Sequence, residues 1–143
     1  LILDSTLNDF VSGELEKAII DCAMEEKPDL MLIEGQSSLR NPSGPCGSEI
    51  LLSGNVDAVI LAHPAERKYF DNCESAEAVI PAIEDEIKLI NHYGKEVIGI
   101  AINASQSFDT SPLKEKLGVP VLNPIYEDIN PLVEKIASTL ITC

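Results

Sequence analysis

Short, continuous apolar runs separated by amphipathic stretches dominate the pattern of this chain. Four runs predict strands, at 30–33, 58–62, 97–102 and 119–122. None alternates with period two. Runs that are apolar on both faces and bounded by Asp, Gly or Pro suit parallel strands covered on both sides by helices. The stretches between them carry helical spacing. Val11, Leu15, Ala18, Ile19 and Cys22 share one face of a first helix that ends near Lys27-Pro28. Ile80, Ile83, Ile87 and Ile90 form a second buried stripe, with Pro81 in its first turn and Gly94 just past its end. Ser111-Pro112 opens a short helix closed by Gly118. Asn130-Pro131 opens a last one, with Val133, Ile136, Ala137 and Leu140 predicted to face inward. The order is α/β with right-handed crossovers, a mainly parallel sheet inside a three-layer sandwich.

One long irregular segment interrupts this alternation, at 35–56, rich in Gly, Ser, Pro and Asn. Loops this long in a compact domain are functional or disordered. It follows the C-terminal end of a predicted buried strand, where open α/β sheets bind their ligands. Function is therefore expected there.

Length and charge narrow the possibilities. The 143 residues are one domain's worth of chain, 45% hydrophobic and 24% charged, which excludes disorder as the main state. Ten Lys and Arg against 24 Asp and Glu give a net charge of −14. That balance argues against a nucleic-acid partner, because few cations are present to displace phosphate counterions. It argues equally against an anionic membrane surface, and no apolar run approaches a membrane span. Cys22, Cys46, Cys73 and Cys143 lack paired spacing, so reduced thiols in the cytoplasm are expected rather than disulfides or zinc.

Against this acidic background, the two arginines stand out. Arg40 lies in the long segment and Arg67 follows the second predicted strand, beside His63. Together with Gln36, Ser38, Asn41, Ser43 and Asp9 they make a candidate site for a small anionic metabolite, gripped by guanidinium forks and loop N–H groups. The competing reading pairs both arginines with nearby acids. Glu34 ends the first predicted strand, where a carboxylate can serve as a magnesium-linked acid or remain a solvated strand end. Gly35-Gln36-Ser37-Ser38-Leu39 fails the nucleophile-elbow pattern at its last position. Cys46, between Pro45 and Gly47, makes a weaker case for a nucleophile paired with His63, since loop thiols are commonly inert. Neither a G-x-x-x-x-G-K-[ST] phosphate loop nor a G-x-G-x-x-G run occurs in the chain.

Three segments carry a family resemblance: D-S-T-L-N-D-F-V-S-G-E-L-E at 4–16, I-E-G-Q-S-S-L-R-N-P at 33–42 and V-D-A-V-I-L-A-H-P-A-E-R at 56–67. Together they resemble a bacterial and archaeal domain-of-unknown-function family that includes the DgcN-type D-glutamate N-acetyltransferases. Members are about twice this length, and the resemblance implies that residues 1–143 form the single α/β, P-loop NTPase-like domain at the C-terminal end of a longer two-domain protein. The Walker A segment would then lie upstream, and the isolated chain is expected to be inactive. More distantly, the layout resembles dethiobiotin synthetase and its relatives, in which Asn103 would meet a nucleotide base. Ser37 departs from the glycine common at that place in the family.

The implied activity is acetyl transfer from acetyl-CoA to the amine of an acidic D-amino acid. It needs a base, oxyanion donors and a cation for the substrate carboxylate. Glu34 or His63 is the expected base, Arg40 and Arg67 the clamps, and Ser38, Asn41 and loop N–H groups the donors. Two alternatives remain open: a Mg-ATP-dependent ligase or synthetase with Glu34 near the metal, and a non-catalytic nucleotide- or metabolite-binding module. The expected partners are an upstream domain of the same protein or a second copy of the chain.

Overall fold

The computed structural model describes residues 5–35, 38–42, 44 and 47–140. The chain divides into two compact units. One comprises Leu1–Val56 with Asp71–Ala78, the other Asp57–Phe70 with Val79–Cys143.

The first unit is helical. Its main element, α1, spans Val11–Glu26, with Val11 and Leu15 buried and Ala18, Ile19 and Cys22 half-buried along the expected face. The chain leaves the helix at Lys27, in the left-handed region with φ +49°, and Pro28 follows. A second helix, α2, spans Gly47–Ser53 and packs on α1 through Ile50 and Leu51, while Ser53 Oγ donates to Ser12 Oγ at 2.8 Å.

Two expectations are corrected in this unit. The 35–56 segment is not irregular throughout, because α2 lies inside it. Once the apolar Ile50 and Leu51 are buried, they stabilise a helix that Gly47, Ser48 and Ser53 disfavour locally. The second correction concerns 30–33, which forms no strand. A strand needs a neighbour to receive its N–H and C=O groups, and the first unit has no other strand among its described residues. Leu32 is accordingly 78% exposed, whereas Ile33 lies near Gly54.

The second unit holds the sheet. Its strands are β1 (Val59–His63), β2 (Val97–Ile102) and β3 (Val121–Leu122), in the order β1-β2-β3 and parallel throughout. Helices α3 (Ile83–His92) and α4 (Ser111–Leu117) lie in the two connections, and α5 (Asn130–Leu140) follows β3. This is the expected α/β architecture with a parallel sheet. β2 has the predicted bounds. β1 starts and ends one residue later than expected, and β3 is two residues shorter because its ladder with β2 covers only Ile100 with Val121 and Ala101 with Leu122. Ile98, Ile100, Ile102 and Val121 are essentially inaccessible and form the centre of the core. Both α3 and α5 pack on β2.

Local signals at the helix ends are mostly borne out. Gly94 and Gly118 follow α3 and α4 with φ +75° and +67°, which glycine adopts without steric cost. Pro81, however, stands before the N-cap Ala82 rather than in the first turn of α3. The α5 stripe is also shifted: Val133 is 50% exposed, and Leu132 turns inward instead. Gly99 explains the shift, since a Cβ there would stand 2.2 Å from Leu132 Cδ1; the bare glycine leaves the space that Leu132 fills. Among the described residues, no helix is long and apolar enough to cross a membrane.

Candidate functional site at the strand ends

The C-terminal edge of the parallel sheet brings three chemistry-bearing loops together in the second unit. His63 is the last residue of β1, and Asn103 follows β2 directly. The ladder register extends one step past the strands, with the Asn103 N–H donating to the His63 carbonyl at 2.8 Å. Arg67 lies four residues beyond His63, in a turn where its N–H donates to the Pro64 carbonyl at 3.2 Å. Thus His63, Arg67 and Asn103, which the sequence nominates separately, belong to the ends of two adjacent strands.

These loops are tied to one another. The Glu66 carboxylate accepts the Ser105 N–H at 2.6 Å and the Ser105 hydroxyl at 2.9 Å. Ser105 Oγ is also 3.0 Å from Ser107 Oγ. At the end of β3, Asn123 is buried and donates from Nδ2 to the Ala104 carbonyl at 2.9 Å. Its Oδ1 accepts the Ile125 N–H at 3.2 Å. The Asn123 N–H donates to Glu127 at 2.6 Å, and Glu127 also accepts from the hydroxyl of buried Thr110 and from Lys114. Glu66, Ser105, Thr110 and Glu127 are absent from the sequence-based site. The nearest signal was their position in polar loops beyond the strands, which does not disclose pairings across 39 and 17 residues.

Charge at this edge is set by burial. His63 is half-buried, and loss of solvent holds its imidazole below the ordinary histidine value; the Glu86 and Glu84 carboxylates oppose that shift. Glu86 is itself only 5% exposed on α3. Glu84 is ion-paired with Lys116 of α4, and that hydrogen bond is the main cause of its lowered carboxyl value. The imidazole of His63 therefore favours its neutral form, which accepts a proton.

The first unit carries the remaining candidates. Glu34 is exposed in the 30–35 segment, which has no regular secondary structure. Ser38 and Asn41 bound a turn closed by the Asn41 N–H to the Ser38 carbonyl at 3.3 Å, with Arg40 within it. A second turn runs from the Gly44 N–H to the Asn41 carbonyl at 3.4 Å. Leu39 lies close to Gly47, where a Cβ would meet its side chain at 3.2 Å and its backbone nitrogen at 3.3 Å. The Ser38 hydroxyl is buried without a hydrogen-bond partner among the described residues. Asp9 sits exposed in a 3-10 turn at Asn8–Phe10. Gln36, Ser43 and Cys46 lie outside the described residues.

Among the described residues, no group of three or more His, Cys, Asp and Glu side chains is placed to hold a metal ion. Glu34 alone fits magnesium only in the manner of a single carboxylate supplementing phosphate oxygens and water.

The parallel sheet, with polar residues gathered beyond its strand ends, places the second unit in the open-sheet α/β class. Within that class the particular family is shown by comparison. The chain belongs to the DUF1611 family, whose model, described as "Domain of unknown function (DUF1611_C) P-loop domain", matches residues 1–133. No curated protein and no solved structure matches the chain.

Proposed function

We propose that this P-loop-type domain binds an anionic, nucleotide-bearing ligand at the C-terminal edge of its sheet, as part of an N-acyltransferase that acetylates an acidic D-amino acid with acetyl-CoA. The supporting observation is the placement of His63, with its proton affinity lowered by burial, next to Asn103 at the end of the adjacent strand. Acyl transfer to an amine requires an acceptor that is neutral near pH 7. In this reading His63 removes a proton from the substrate ammonium. The freed amine attacks the thioester carbonyl, the tetrahedral oxyanion collapses with cleavage of the C–S bond, and the departing CoA thiolate takes up the proton that the attacking nitrogen loses as the amide forms. Arg67 pairs with a carboxylate or phosphate, and Asn103 offers its carboxamide to the adenine of the CoA nucleotide.

For the first unit we propose an anion-binding role for the loop bearing Ser38, Arg40 and Asn41. Its support is the buried Ser38 hydroxyl, a group of a kind that native structures seldom leave unsatisfied.

The test is an acetyl-transfer assay on the intact protein with acetyl-CoA and D-glutamate, following N-acetyl product by mass spectrometry. Product formation that falls at least about 100-fold in His63→Gln supports the reading, as expected for loss of a general base. Turnover that requires ATP and magnesium, is abolished by Glu34→Gln and yields no acetylated product would replace it with the ligase reading. Nucleotide binding without turnover would leave a sensing module.

A further inference from the structure

Both oxygens of the exposed Glu66 carboxylate are engaged by one residue on another loop. Oε2 takes the Ser105 N–H at 2.6 Å and Oε1 takes the Ser105 hydroxyl at 2.9 Å. Hydrogen bonds to an ionised acceptor are the strong kind, and a two-point grip fixes orientation as well as distance. The same loop is pinned from its other side, where buried Asn123 donates to the Ala104 carbonyl. It is pinned a third time where the Asn103 N–H meets the His63 carbonyl. Three consecutive residues, 103–105, are thus each fixed by a different partner, and two of those partners belong to β1 and the turn beyond it. The residue next to Glu66 is Arg67, and the residue that opens the pinned run is Asn103.

We infer that Glu66 is a positioning residue whose grip on Ser105 sets the spacing between Arg67 and Asn103, so that one ligand with an anionic group and a planar donor–acceptor edge engages both. This rests on the reading that Arg67 and Asn103 contact ligand. The chemistry that fits is a nucleoside diphosphate, free or as the nucleotide end of a larger acyl carrier: phosphate for the guanidinium and a purine edge for the carboxamide. Holding both loops before binding removes an ordering cost that the ligand would otherwise offset.

The experiment is calorimetric titration of the intact protein with ADP and, separately, with inorganic pyrophosphate, which lacks the purine. Glu66→Ala is expected to weaken ADP about tenfold and pyrophosphate less than about twofold, because the anion contact survives while the loop bearing Asn103 loses its tie at Ser105. Glu66→Gln keeps an acceptor for the Ser105 N–H and a donor for its hydroxyl oxygen, and should restore ADP affinity. Adding Glu66→Ala to Asn103→Ala should cost nothing further. Equal losses for both probes, additive losses in the double variant, or a Glu66→Gln protein as weak as Glu66→Ala would overturn the inference. Wild-type protein that binds neither probe would defeat the ligand reading instead. In that case amide exchange decides the positioning: faster exchange at 103–105 in Glu66→Ala with protection regained in Glu66→Gln upholds it, and unchanged exchange overturns it.

Discussion

The backbone N–H of Asn123 is held by the Glu127 carboxylate at 2.6 Å, so the residue that follows β3 is clamped by the acid four positions later. The same carboxylate takes the hydroxyl of Thr110, which is 2% exposed, and pairs with Lys114. One acid therefore links the end of the sheet to the start of α4.

Removing that acid should destabilise the second unit. Glu127→Ala leaves the Asn123 N–H and the buried Thr110 hydroxyl without an acceptor, a cost of about 2 kcal/mol once the exposure of the Lys114 pair is discounted. The Asn123 N–H is the chief reason that the Glu127 carboxyl is held below its ordinary value; burial opposes it, and Lys114 and Thr110 assist. A carboxyl lowered on folding stabilises above its unfolded value, near 4.5, and that contribution disappears as the pH falls through the folded value. Urea denaturation at pH 7 and pH 3 should show the Glu127→Ala deficit at the higher pH and a smaller one at the lower.

His63 should titrate below about 6.5, because burial outweighs the attraction of Glu86 and Glu84. Glu86→Gln removes the larger opposing charge and should lower the value further, a change followed directly by NMR of the imidazole. For a base lowered on folding, the associated stability is present above the unfolded value and is lost as the pH drops beneath it. An acyl-transfer rate dependent on neutral His63 should accordingly hold its level to lower pH in Glu86→Gln.

Gly99 and Leu132 make a paired prediction. Gly99→Ala places a methyl 2.2 Å from Leu132 Cδ1 in the middle of β2, and overpacking of this kind costs about 1–3 kcal/mol. Leu132→Val should recover part of that loss in the double variant, while costing stability on its own. Thermal denaturation of the four proteins measures the coupling; additive losses would mean that the helix yields by moving as a whole.

Two apolar positions of similar appearance should behave differently. Leu32→Ser, at a residue 78% exposed, is expected to change the stability of the 143-residue chain by less than about 0.5 kcal/mol. Ile100→Ala, at an inaccessible residue of β2, should cost about 2–5 kcal/mol. Chemical denaturation compares them directly.

These positions also mark how much was legible beforehand. The 97–102 strand was read with its correct bounds because every residue in it is apolar and Asn103 ends the run. The ends of α3 and α4 were legible because Gly94 and Gly118 adopt a backbone conformation that other residues resist. The 30–33 run has the same local character as β2 but forms no strand, since pairing depends on a neighbour that the run itself does not encode. α2 was missed for the opposite reason: its Gly and Ser suggest a loop, and only burial of Ile50 and Leu51 shows what holds it. The candidate site divides similarly. The location of Arg67 and Asn103 beyond strand ends was apparent and His63 falls one step inside its strand, whereas the ties through Glu66 and Glu127 were not legible.

By itself, the sequence determined the α/β class, most of the helices, the acidic character and the family, because these follow from local spacing, composition and motif. Tertiary structure alone decided which apolar runs pair, that Leu132 rather than Val133 fills the space at Gly99, and which loop carboxylates hold the strand ends. The physical reason is range. A helical stripe or a glycine cap is an interaction between near neighbours, but a ladder, a packed methyl group or the hydrogen bond from Ser105 to Glu66 joins residues that become neighbours only when the whole unit has folded.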